Sequence, residues 1–173
     1  APTASGKTFL LLQWLLDQIE TRDLWVAVYI APTRALVSEV EESLRQLLKA
    51  RSSASADVSS LPSIERYSAA VSRTTRQIFV LTQERLHLLF NLLSDTLLVD
   101  LLVVDEAHKI GDNQRGVVLQ DAIERVGRAN QKVRVVFISP ATQNPGTLLE
   151  DGPTATPTAA VDSDVPTVLQ NVI

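Results

Sequence analysis

Four short apolar runs constrain this chain more than any other feature of it. They are WVAVYIA (25–31), QIFVLT (77–82), LLVVD (101–105) and KVRVVFIS (132–139). Rich in β-branched and aromatic residues and nearly continuous in hydrophobicity, they read as strands buried on both faces. Stretches of helical length lie before and between them. FLLLQWLLDQIE (9–20) is strongly apolar, and ALVSEVEESLRQLLKA (35–50) sets Leu36, Val40, Leu44, Leu47 and Leu48 on one face. QERLHLLFNLL (83–93), with Thr82 as its N-cap, and VVLQDAIERVGRA (117–129) complete the set. Strands alternating with helices at this spacing predict an α/β fold, a parallel sheet with right-handed crossovers and helices on both faces. Such a sheet gathers the loops that follow its strands along one edge.

The third run ends abruptly in chemistry. LLVVD passes straight into Glu106, Ala107 and His108, so a buried strand delivers two adjacent carboxylates, Asp105 and Glu106, to its carboxyl end. Burying that much negative charge is costly without a cation beside it. A magnesium ion on a nucleotide phosphate meets the need, and APTASGKT (1–8) offers a place for the phosphate. It fits Ala/Gly, four residues, then Gly-Lys-Ser/Thr, a loop whose backbone N–H groups face an anion just before a helix starts. Gly6 permits close backbone approach, Lys7 reaches the outer phosphates and Thr8 offers a hydroxyl to the metal. The bland alternative is a chance Gly-Lys-Thr turn.

Other polar residues fall at the same edge. Pro32-Thr33-Arg34 follows the first run, Thr82 and Arg85 the second, and Ser139-Pro140-Ala141-Thr142 the fourth. In open α/β sheets ligands bind outside the carboxyl ends of the strands. Taken singly, Arg34 also reads as an ordinary solvated arginine beside a proline-started helix. Residues 51–76, rich in Ser and Ala, predict loops with one short strand near Val58–Leu61. Arg66, Arg73 and Arg76 there suit a solvated face better than a nucleic-acid patch, and His87 suits packing better than metal ligation. Asn144 to Glu150 predicts a short helix, and from Asp151 a shift to Pro, Thr, Ala and Asp predicts a linker over 151–173.

Composition narrows the class. The 173 residues amount to one domain, with 45% hydrophobic and 21% charged residues, and no run reaches membrane-spanning length. A net charge of -4 speaks against a broadly basic nucleic-acid coat, though not against a few placed phosphate contacts. The absence of cysteine excludes a disulfide framework or thiolate metal site and fits a reducing compartment, so the expected localisation is cytoplasmic, with the nucleus left open. The absence of methionine, even at position 1, predicts a piece of a longer chain.

With these residues assembled, the chain resembles the first RecA-like lobe of superfamily 2 DEAD/DEAH-box-type nucleic-acid helicases. APTASGKT is similar to motif I, APTRAL to motif Ia, TQER to motif Ib, DEAH to motif II and SPAT to motif III. The five stand in the family's order over nearly the whole chain, and KIGDNQRGVVLQDAIERV after motif II resembles the superkiller-type (DExH) branch. The resemblance implies a RecA-like P-loop NTPase lobe over 1–150, lacking the strand before motif I, and a linker toward a second RecA-like lobe. It implies ATP and Mg2+ as ligands and nucleic acid, DNA or RNA, as partner, with no membrane. Pro2, Thr3, Ala4, Ser5, Gly6, Lys7 and Thr8 would cradle the nucleotide, with Thr8 and Asp105 on magnesium. Glu106 would act on the attacking water, and Lys7 and Asp105 would share the catalytic work. His108, Ala141 and Thr142 would couple nucleotide state to strand movement. Thr33, Arg34, Thr82 and Arg85 would touch one strand's sugar-phosphate backbone, giving grip without reading sequence.

Three departures qualify the match. Ala4 stands where motif I usually has glycine, Gln83 where motif Ib has proline, and Pro140 where motif III has serine, with Ser139 one place earlier. Pro140 has neither an N–H nor a hydroxyl to give, which bears on coupling. Two alternatives to an unwinding motor therefore stay open, a duplex translocase and a non-catalytic nucleotide-gated interaction module. Without the arginines that the second lobe supplies in this superfamily, the lobe alone is expected to hydrolyse ATP hardly at all.

Overall fold

The computed structural model describes residues 2–51, 56–93, 96–105 and 113–138, of which 2–7 and 113–118 are described in backbone only. Ten elements follow in the order α1 (Pro2–Thr21), β1 (Val26–Ile30), α2 (Arg34–Arg51), β2 (Ala56–Ser59), α3 (Ile64–Val71), β3 (Arg76–Leu81), α4 (Gln83–Leu92), β4 (Leu101–Asp105), α5 (Asn113–Ala129) and β5 (Arg134–Ile138). The five strands form one parallel sheet in the order β2-β3-β1-β4-β5. The strands are as apolar as their sequences require: β1 is buried at every position, and so are β3 after Arg76 and β4 up to Asp105.

The α/β expectation holds, and the direction of the crossovers sorts the helices. α2 carries the chain from β1 leftward to the β2 edge, whereas α3, α4 and α5 carry it back the other way. Right-handed crossovers put opposite directions on opposite faces. The packing agrees, since α1 lies on α2 and α4 on α5. Leu12, Leu15, Leu16, Val40 and Leu44 bury one face of the sheet, and Leu86, Leu89, Phe90, Ile123 and Val126 the other. Arg125 ties α5 to α4, with its guanidinium 4.9 Å from the Phe90 ring and 3.0 Å from His87 Nδ1, so His87 meets a packing partner as expected.

Three expectations are corrected. The loop expected over residues 1–8 is helical backbone from Pro2 onward, continuous with α1. Proline is at home in a first helical turn, where its missing N–H would have no partner, and Ala4 and Lys7 are good helix formers. Residues 51–76 hold, besides the expected short strand, which lies two residues earlier as β2, the helix α3, capped by Ser63, whose hydroxyl accepts from Arg66 N. Its buried Tyr67 donates to Thr96 O and accepts from Leu98 N, which fastens the approach to β4. Finally α5 starts four residues before Val117, at Asn113. Burial of Leu119, Ala122, Ile123 and Val126 outweighs the cost of about 1 kcal/mol for Gly116 inside its first turns. The helix expected at 144–150 and the linker at 151–173 lie outside the described residues.

Candidate functional site

The carboxyl edge of the sheet carries the candidate site, and strand order decides who meets whom there. β1 and β4 are neighbours, yet the chain leaves them by helices that run in opposite directions, α2 and α5. That is a topological switch point, where the two departing helices open a crevice at the strand ends. Asp105 closes β4 at this crevice and is half-buried, whereas the four residues before it are fully buried. Tyr29, on β1, donates a 2.7 Å hydrogen bond to Asp105 Oδ2.

The start of α1 reaches the same edge. Arg51, the last residue of α2, pairs with Asp17 at 2.9 Å and Glu20 at 3.1 Å near the end of α1. α1 has 20 residues and α2 has 18, and each ends where a strand begins, so the two run side by side with their first turns together. The amino end of α1, with Thr8 in its second turn, is therefore directed toward the edge that holds the Pro32-Thr33-Arg34 turn. Thr8 is half-buried. The side chains of Pro2, Thr3, Ala4, Ser5, Gly6 and Lys7 lie outside the described residues.

The expected nucleic-acid contacts gather on the other half of the edge, over β1, β3 and β2. Because Ile30 pairs with Leu81, the turns after β1 and β3 are adjacent. Each threonine there caps its helix: Thr33 Oγ1 accepts from Leu36 N at 3.2 Å, and Thr82 Oγ1 from Arg85 N at 3.3 Å. Thr33 and Arg34 are exposed at the start of α2. Thr82 is only 7% exposed, so its place is that of a cap rather than a contact. Arg85 is half-buried and donates from Nη1 to Ser60 O at 2.7 Å, which joins the turn after β3 to the turn after β2. The structure thus brings the turns that carry Thr33, Arg34, Thr82 and Arg85 together over β1 and β3, on the edge where Asp105 closes the neighbouring β4. Glu106, His108, Ala141 and Thr142 lie outside the described residues.

Sequence reasoning passed over Tyr29. The signal was present: a tyrosine in an aliphatic strand must find a partner for its hydroxyl once buried. It also misplaced Arg76, which is no solvated charge. Its guanidinium donates to Leu24 O and Asp23 Oδ1, both at 2.7 Å, and lies 4.3 Å from the centre of the Trp25 ring. This clamp closes the turn between α1 and β1 at the opposite, amino edge, far from the candidate site. Its Arg76 hydrogen bond, aided by the nearby charges of Arg76 and Arg73, holds the Asp23 carboxyl below its ordinary range. Among the described residues no helix is long and apolar enough to cross a membrane.

Comparison with known proteins bears on this arrangement. The family profile for DEAD/DEAH box helicases matches residues 1–148. The chain is 32% identical over 160 residues to the DExH-box ATP-dependent RNA helicase DExH13 of Arabidopsis thaliana, which covers 83% of this chain and 7% of that protein. It is 32% identical over 151 residues to the ATP-dependent DNA helicase Hel308 of Thermoplasma acidophilum, covering 83% of this chain and 20% of that one. Among solved structures, Mycobacterium smegmatis helicase Lhr bound to ssDNA and AMP-PNP superposes with a TM-score of 0.63 at 20% identity, over 90% of this chain and 22% of that chain. The helicase MrfA bound to DNA and AMPPNP gives a TM-score of 0.59 at 18% identity, over 86% and 22%. These two likenesses concern the fold alone, and the chain spans a fifth or less of the two curated relatives. With a profile match over most of its length, this chain belongs to the DEAD/DEAH box helicase family.

Proposed function

We propose that this chain is the nucleotide-binding motor lobe of an ATP-dependent helicase, and that the whole protein couples ATP hydrolysis to movement along, or unwinding of, nucleic acid. The observation that carries it is the placing of Asp105. A carboxylate stands at the end of a buried strand, at the switch point of a parallel sheet, on the edge from which α2 departs. Asp105 and Thr8 offer hard oxygen donors, which suits Mg2+, a metal that takes one or two carboxylates and completes its shell with phosphate oxygens and water. Bound with ATP, the ion would neutralise phosphate charge at the reacting phosphoryl group.

The chain's own residues would do the rest. The amino end of α1 presents unpaired N–H groups to the phosphates, and Lys7 adds a charge. Glu106 orients the attacking water or takes its proton, while His108, Ala141 and Thr142 pass the nucleotide state to the strand-binding half. Thr33 and Arg34, exposed just beyond β1, hold the backbone of one strand, and Arg85 supports the neighbouring turn. A second RecA-like lobe in the full-length protein supplies the arginines that phosphoryl transfer needs. Relatives named for RNA and for DNA both match, so the proposal covers either nucleic acid.

The test is ATP turnover by the full-length protein with and without single-stranded DNA or RNA, beside Lys7→Ala and Glu106→Gln. Stimulation by one nucleic acid, and loss of turnover by about 10²-fold or more in both variants, is the expected result. Wild-type turnover in both variants would overturn the site, and the lack of stimulation by either nucleic acid would overturn the motor. Strand displacement, set against triplex displacement, then separates unwinding from duplex translocation.

A further inference from the structure

We infer that Tyr29 is a positioning residue for the Asp105 carboxylate, preparing it to receive the metal of a nucleoside triphosphate. The inference rests on the nucleotide-site reading above. Tyr29 is 1% exposed in the middle of β1, and its hydroxyl donates to Asp105 Oδ2 at 2.7 Å. The register explains why these two meet. Tyr29 stands opposite Val103, and Asp105, two residues further on, leaves β4 from the same face. Diagonal neighbours of this kind lie about 7–8 Å apart at the backbone, a gap that a tyrosine spans and an aliphatic side chain does not.

The bond has a use that packing alone would not require. A half-exposed aspartate at a strand end can turn among rotamers, and each turn away from the metal costs affinity. A buried phenol on a fixed strand holds the carboxylate by a charge-assisted bond, which is short and strong. The strand that holds the phenol is the one that leads into Thr33 and Arg34, three and four residues past its end. Metal grip and the strand-contacting turn therefore hang on a single rigid element. Hydrogen-bond partners of ligating carboxylates are worth about 10–100-fold in metal affinity.

The experiment titrates Mn2+ into the full-length protein with a non-hydrolysable ATP analogue and follows free Mn2+ by electron paramagnetic resonance. Tyr29→Phe removes only the hydroxyl and is expected to weaken Mn2+ binding about tenfold or more, with metal-free nucleotide binding unchanged. Asp105→Asn is expected to weaken it further, and Tyr29→Phe added to Asp105→Asn should change nothing more. Wild-type Mn2+ binding by Tyr29→Phe, with Asp105→Asn weakened, overturns the inference and leaves the nucleotide site standing. Wild-type binding by Asp105→Asn overturns both. An equal loss from Tyr29→Phe in both backgrounds, or an equal loss of metal-free nucleotide binding, marks general damage and overturns the positioning role. Tyr29→Gln, which keeps a donor of shorter reach, provides a second variant: weakened Mn2+ binding supports the role, and wild-type binding overturns it.

Discussion

At the residue scale, three aspartates with the same chemistry do different work because of where the fold puts them. Asp105 faces the carboxyl edge and the candidate site. Asp100, at the opposite edge, accepts from Trp25 N at 3.0 Å and Val26 N at 3.1 Å with one oxygen, pinning the start of β1 to the start of β4. Asp100→Ala leaves those donors without their acceptor and is expected to cost about 1–3 kcal/mol in urea unfolding, with ATP turnover of the folded protein unchanged. Asp23 is exposed, yet its Arg76 hydrogen bond holds its carboxyl below the ordinary range. A carboxyl depressed in the folded state contributes its stability above the unfolded value of about 4 and loses it as pH falls through the folded value. The stability gap between the wild type and Asp23→Asn, measured by thermal unfolding, should therefore be full at neutral pH and close as pH drops below about 4. Asparagine tolerates the positive φ of 55° at this position, so the comparison isolates the charge. The Arg76 clamp was not legible in sequence, because the carbonyls that Arg76 grips, those of Ile19 and Leu24, lie more than fifty residues away.

At the element scale, legibility followed length and burial. The strands and long helices declared themselves because their apolar periods are long and their burial nearly complete. α2 appears within a residue of its expected limits, with Val40, Leu44 and Leu47 on the buried face as expected. Leu44→Ala at the centre of that face, where exposure is 0%, is expected to cost about 2–5 kcal/mol in chemical unfolding. α3 escaped notice because eight residues in a Ser- and Ala-rich stretch carry only two buried anchors, Tyr67 and Ala70. Its start is written in Ser63, and Ser63→Ala should cost about 1 kcal/mol by loss of the cap. α5 overran its expected start for the opposite reason, since its buried face draws the polar residues ahead of it into the helix.

At the scale of the whole molecule, one lobe sets the two halves of the proposed motor edge side by side, the proposed nucleotide half at β4 and the proposed strand-holding half at β1 and β3. Residues 1–173 expressed alone should hydrolyse ATP about 10³–10⁵-fold more slowly than the full-length protein, a difference that a coupled-enzyme assay reads directly. By itself the sequence determined the class of fold and set a candidate carboxylate, Asp105, at a strand end, because hydrophobic period and strand-end chemistry are local properties. Only the tertiary structure decided that β1 lies between β3 and β4. Strand order follows from the summed packing of five buried strands and the direction of each crossover, which no single stretch encodes. That order makes the crevice beside Asp105, brings the turns of Thr33 and Thr82 together, and sets Tyr29 within reach of the carboxylate.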